Sequence, residues 1–200
     1  MLTDEQLLAR YRAGEESALA ELIGRYEQEL FAFLHRFVAD QAAAEDLFQE
    51  TFIQVHRNAA TFDAQRRFRP WLFTIAANKA RDYLRAHSRR TIHSLDSSVG
   101  GGGRAAAGGE GSTYLDLMAS DAPTPPAELG RAEDLARVSA ILADLPPPYK
   151  EVLVLAYFHE FAYKDIAEML HIPLGTVKSR LHAAVASFAK AYKSATHDEG

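Results

Sequence analysis

The 200-residue sequence predicts an all-α protein of two small helical domains joined by a flexible Gly/Pro-rich linker. Three observations carry that expectation. Apolar residues recur at i, i+3 and i+4 on both sides of the middle of the chain, the period of an amphipathic helix. No segment has the sustained two-residue alternation of a half-buried strand. Between the helical regions, residues 94–133 hold eight of the twelve glycines, Gly100 to Gly103 among them, and also Pro123, Pro125 and Pro126. Such a composition buries too little apolar surface to offset the entropy of ordering it. The expected division is 1–93, 94–133 and 134–196.

Thr3 and Gln6 have capping-box spacing ahead of Leu7, Leu8 and Tyr11, so a first helix begins there. A second carries the stripe Leu19, Leu22, Ile23, Tyr26, Leu30, Phe33, Leu34 and Phe37. A third starts near Asp40 and turns Leu47, Phe48, Thr51, Phe52 and Val55 inward. The polar, broken segment 58–68 reads as a loop, and a fourth helix begins beside Pro70, a residue favoured in a first turn. It continues through Trp71, Leu72, Ile75, Ala76 and Leu84. Beyond the linker, Leu135, Val138, Ile141 and Leu142 form a stripe expected to stop at Pro146, Pro147 and Pro148. Val152 to Phe158 reads as a buried helix. Two more, Ile166 to Leu170 and Val177 to Phe188, flank a break at His171, Ile172 and Pro173.

The chain has no cysteine, which excludes disulfides and thiolate metal sites and suits a reducing compartment. Its eight histidines are scattered without ligand spacing, and no cofactor is expected. No run approaches the ~20 apolar residues of a membrane span, and the start of the chain has no apolar signal core. The net charge of −5 conceals a division. Residues 1–56 carry four Arg against eleven Asp or Glu, whereas 57–90 carry nine Arg or Lys against Asp63 and Asp82. That asymmetry points to polyanion binding by one part of the chain and a different partner for another.

Three motifs sharpen this division. In FAYKDIAEMLHIPLGTVKSRLHAAV, residues 161–185, the small Ala167 precedes the turn at His171 by four residues and the apolar Val177 by ten. That is helix-turn-helix spacing, in which the second helix enters the DNA major groove. Its outer face would present Thr176, Lys178, Ser179, Arg180 and His182. In TFDAQRRFRP and WLFTIAANKARDYLRAHSRR, residues 61–90, Arg66, Arg67, Arg69, Lys79, Arg81 and Arg85 can follow a phosphate backbone. Trp71 beside them can stack an unpaired base, and Asn78 suits a base edge. In AEDLFQETF, residues 44–52, Asp46, Gln49 and Glu50 share an outer helix face with Ile53, an acidic and apolar stripe suited to a protein partner bearing basic helices. A nuclease built on Asp46 and Glu50 lacks a ligand cluster, a nucleotide loop and a nucleophile–base pair, so no enzyme is expected.

Together with LPPPYKEVLVLAYFHEFAYKDIAEMLHIPLGTVKSRL, residues 145–181, these motifs occur in the order of an extracytoplasmic-function sigma factor, which the chain resembles over nearly its whole length. The resemblance implies a cytoplasmic bacterial subunit that directs RNA polymerase to promoters and helps to melt them. Its partners would be core polymerase, at the β′ clamp helices and the β flap, promoter DNA and an anti-sigma factor, with no membrane insertion. Asp46, Gln49, Glu50 and Ile53 would dock on the clamp. Arg66, Arg67, Arg69, Trp71, Asn78, Lys79, Arg81 and Arg85 would capture and melt the minus-ten element, while Thr176, Lys178, Ser179, Arg180 and His182 would read the minus-thirty-five element. A stand-alone helix-turn-helix regulator is the alternative. Three departures stand out: Ala162 replaces a usual capping Ser, His171 replaces the usual turn glycine, and His182, Ala183, Ala184 and Val185 stand where many members carry additional Arg.

Overall fold

The computed structural model describes residues 1–96 and 132–197, all helix and connecting turns. Of the expected linker, 97–131 lie outside the described residues, as do the side chains of Arg89, Arg90 and Leu135.

The expected capping box opens α1 (Asp4–Arg12): Thr3 Oγ1 accepts from the Gln6 N–H at 3.2 Å, and Gln6 Oε1 accepts from the Thr3 N–H at 2.9 Å. A turn through Gly14, at φ +100°, needs a residue without Cβ and leads into α2 (Glu16–Val38). There Leu22, Tyr26, Leu30, Phe33, Leu34 and Phe37 are buried as expected, with Leu19 and Ile23 partly covered. Asp40 caps α3 (Gln41–Asn58) by accepting from the Ala43 N–H at 2.9 Å. A 3₁₀ turn, Ala59–Thr61, occupies the start of the expected loop.

The fourth helix, α4 (Phe68–Asp96), starts two residues earlier than Pro70 suggested. The reason is non-local. Phe68 is fully buried, and its N–H donates to Glu5 Oε1 at 2.8 Å, so a side chain of α1 satisfies a donor that helix geometry leaves unpaired.

In the C-terminal half come α5 (Ala132–Asp144) and α6 (Pro147–Leu153). The prolines end α5, but Pro147 and Pro148 also begin α6, where a missing N–H costs nothing. The expected helix over Val152 to Phe158 is therefore the end of α6 followed by a π turn, Val154–Phe158. Next are α7 (Tyr163–Leu170), the predicted break, and α8 (Leu174–His197). Val152, Leu155, Ile166, Leu170, Val177 and Leu181 close this small core.

Read from sequence, the two halves are linked only by a tether. The structure joins them further: their buried residues form one continuous apolar cluster. His159, just past the π turn, sits edge-on against Phe33 of α2, with ring centroids 5.4 Å apart, and 5.2 Å from Phe73 of α4. Phe161 packs on Phe73 at 5.0 Å, and the Arg69 guanidinium lies 4.1 Å over the Phe161 ring.

Candidate functional site

On α3 the period of the helix does what the sequence suggests. Leu47, Thr51, Phe52 and Val55 are buried, Phe48 is half-buried, and Asp46, Gln49, Glu50 and Ile53 stand exposed. Ile53 is 50% exposed, a large apolar side chain held in water one turn beyond Gln49 and Glu50. Beside this stripe, Glu27, Gln28 and Phe31 of α2 and Glu45, Phe48 and Gln49 of α3 line an open groove of about 570 Å³. Acidic rims around an apolar floor suit a partner helix with basic and apolar residues.

The basic residues of 61–90 divide into two groups. Arg66, Asn78 and Arg85 are exposed and, among the described residues, are bonded to near neighbours: Arg66 lies 3.9 Å from Asp63, Asn78 Oδ1 accepts from Arg81 Nη2 at 2.8 Å, and Arg85 donates to Asp82 Oδ1 at 3.3 Å. Asn78 faces solvent, where its amide is accessible. Trp71 is half-buried, tilted 4.7 Å from Phe62 and 5.8 Å from Phe68, so one part of its indole belongs to the core and another stays accessible. Lys79 Nζ donates to Glu50 Oε2 at 2.9 Å, which joins a residue of the expected DNA set to one of the expected polymerase set.

The second group, Arg67, Arg69 and Arg81, meets the C-terminal half. Arg67 Nη2 donates to Asp165 Oδ1 at 2.5 Å. Arg69 pairs with Glu29 and also donates to the His159 carbonyl at 2.7 Å. Arg81 Nε lies 2.8 Å from Glu151 Oε1, but both atoms are buried and out of hydrogen-bonding alignment, so the contact is a charge pair and not a directed bond. Burial raises the Glu151 carboxyl, an effect that Arg81, Arg180 and Arg85 partly counter. Burial likewise tends to raise Glu29, but hydrogen bonds from His159 and Arg69 outweigh it and hold that carboxyl at about 2.

In the helix-turn-helix, Ala167 is partly covered between α7 and α8, and its carbonyl accepts from the Ile172 N–H at 3.1 Å as the chain turns. The first two departures noted in the sequence are visible in the backbone. Ala162 precedes α7 with no side-chain cap, and His171 takes the left-handed backbone, φ 53° and ψ 44°. On α8, Val177, Leu181 and Ala184 are buried. Lys178, Ser179 and His182 are exposed, and Thr176 and Arg180 are half-exposed on the same helix.

Sequence reasoning missed Glu29, Arg36, Glu151, His159 and Asp165. Each lies against the other half of the molecule, and none has a spacing or composition signal that marks it.

A family model for sigma-70 region 2 matches residues 22–90, and one for sigma-70 region 4 matches 135–187. The chain is 31% identical over 175 residues to the ECF RNA polymerase sigma factor SigW of Bacillus subtilis (strain 168), covering 88% of this chain and 89% of that one. The chain belongs to the extracytoplasmic-function sigma factors. It is also 33% identical over 190 residues to the RNA polymerase sigma-H factor of Pseudomonas aeruginosa, covering 94% and 93% of the two chains. Among solved structures, CnrH in complex with the cytosolic domain of CnrY superposes with a TM-score of 0.66 at 23% identity, over 96% of this chain and 97% of that one. RpoE of Bartonella quintana in complex with the anti-sigma factor NepR gives 0.65 at 22% identity, over 87% and 96%. These two likenesses support the fold. This sigma factor is thus a promoter-directing subunit of bacterial RNA polymerase, in a family whose members act by recognition.

Proposed function

We propose that 1–93 is the domain that docks on core polymerase and melts the minus-ten element, and that 134–196 reads the minus-thirty-five element, with 94–133 linking them. The exposed stripe of Asp46, Gln49, Glu50 and Ile53 is the observation that carries this reading. A water-facing isoleucine sharing an exposed helix face with Asp46 and Glu50 suits the basic β′ clamp helices. The exposed Arg66, Asn78 and Arg85, with the accessible part of Trp71, supply cations, an amide and a π-face for an unpaired strand. Capture of extruded bases there offsets the few kcal/mol of unstacking and so favours an open promoter. Lys178, Ser179, Arg180 and His182 face outward from α8, where Arg reads guanine edges and the others hold phosphates.

The site works in the cytoplasm, without a catalytic step of its own. The β flap is the second docking surface on polymerase, and an anti-sigma factor is the expected antagonist. Run-off transcription with purified core polymerase tests the assignment. Wild-type protein should confer promoter-dependent initiation. Asp46→Arg with Glu50→Arg should retain helical content and weaken core binding by at least about tenfold, the loss of roughly 1.4 kcal/mol at a charged docking rim. Unchanged core affinity in that variant would remove α3 from the docking surface.

A further inference from the structure

We propose that Leu174, the first residue of α8, reads the methyl group of a thymine in the minus-thirty-five element. The inference rests on the reading of α8 as the helix that enters the major groove. It adds a base that the polar residues of that helix do not select.

Among the described residues, the large hydrophobic side chains that stand exposed are Met1, Ile53 and Leu174. Met1 is the first residue, and Ile53 lies on the outer face of α3 already assigned to a partner. Leu174 is 42% exposed, although Val177, Leu181 and Ala184 of its own helix are closed into the core. An isolated exposed leucine needs no explanation by itself. This one occupies the N-terminal turn of a recognition helix, whose residues come nearest to base edges. It lies one turn before the exposed Lys178, so the two share a flank of α8. A lysine holding a phosphate from that flank sets Leu174 beside the edge of an adjoining base pair. Gly175, next to it, adds no side chain to keep the DNA away.

The rest of the helix says which base. From Leu174 to His197, α8 has no Asn, Gln, Asp or Glu. It therefore lacks the side chains that bridge adenine N6 and N7 or accept from cytosine N4. Arg180 accounts for guanine. Hydroxyls select weakly, because they serve more than one base, and Ser179 already donates its own to the Thr176 carbonyl at 3.1 Å. The major-groove feature left unread is the thymine C5-methyl, and an exposed leucine is its apolar complement. The first turn of α8 also has no carboxylate, whereas α1, α2 and α7 each carry at least one there. The helix dipole favours a carboxylate at that end, but phosphates repel it. An apolar, carboxylate-free turn suits close approach to DNA.

The test uses holoenzyme, the full chain on core polymerase. The probe is a duplex library randomised across both promoter elements, and the sequences that holoenzyme retains define the upstream element. In a selected duplex, each upstream thymine is replaced in turn by deoxyuridine, which removes only the methyl group. At one position this should weaken binding by about fourfold, the worth of one buried methyl group. Leu174→Ala should bind the thymine duplex at least as weakly and be indifferent to deoxyuridine at that position. Leu174→Met, which keeps a large apolar side chain, should restore the sensitivity. Circular dichroism checks that both variants retain their helix. If no thymine methyl matters, or if Leu174→Ala stays as sensitive to its loss as wild type, the contact is overturned and the reading of α8 stands. A Leu174→Ala variant that binds core polymerase more weakly without DNA, and keeps that sensitivity, places the leucine against polymerase and also overturns the contact. Retained sequences with no fixed upstream base overturn both the contact and the reading of α8.

Discussion

The N-terminal and C-terminal domains differ in how closely they obey local rules. In the first, α1 and α3 begin on local side-chain acceptors, Thr3 and Asp40, while α2 begins with none and Ala39 at its end sits at φ 56°. In the second, α6 and α7 begin with none, Glu160 and His171 sit at φ 53°, and the backbone widens into a π turn. Each missing cap or left-handed non-glycine residue costs about 1 kcal/mol. The C-terminal domain holds its shape through packing, part of it against α2 and α4.

Removing a shared support should have the largest effect. Phe33 is fully buried among Phe37, Phe73 and His159, so it serves both domains. Phe33→Ala should destabilise the protein by about 3–5 kcal/mol in denaturant unfolding. It should also increase hydrogen exchange at the π turn. Protection there equal to wild type would show that the C-terminal domain stands without this contact.

Acid should act on the boundary with a smaller effect. Glu29 is held at about 2 against an ordinary 4.5, so its stabilisation is complete above 4.5 and is lost as pH falls toward 2. Its side chain is 34% exposed, and screening limits the contribution to about 1–2 kcal/mol. Glu151 acts in the opposite sense, since a raised carboxyl costs stability as pH rises past 4.5. The stability difference between wild type and Glu29→Gln should therefore shrink from pH 5 to pH 2. A constant difference across that range would place the Glu29 contribution in packing and not in charge.

The smallest effects are the most direct on the comparison itself. Ala162→Ser supplies a cap to α7, and His171→Gly relieves the left-handed turn. Each should stabilise by about 1 kcal/mol. They lie at opposite ends of an eight-residue helix, so the double variant should gain roughly their sum. Thr3→Ala, which dismantles the capping box of α1, should lose about 1 kcal/mol. Thermal unfolding of the four variants checks the set. A loss from His171→Gly would mean that its side chain contributes more than its backbone costs.

Much of this was legible in the residues. The stripe of α2, the cap of α1, the outward Asp46, Gln49, Glu50 and Ile53, and the break at His171 all follow from spacings of four residues or fewer. The misreadings have a common cause. Pro147 and Pro148 end one helix and start another, and proline spacing alone does not say which role prevails. The start of α4 at Phe68 depends on Glu5, 63 residues away.

Helix content, helix order, the charge division and the three motifs are thus properties of the linear chain, because periodicity, capping and turn chemistry act over a single turn. The meeting of Arg67 with Asp165, of Arg81 with Glu151 and of His159 with Phe33 belongs to the folded molecule alone. These partners are separated by 70 residues or more, and only the packing of complementary surfaces brings them together. A sequence reading counts such arginines as available to DNA. The fold shows them already engaged.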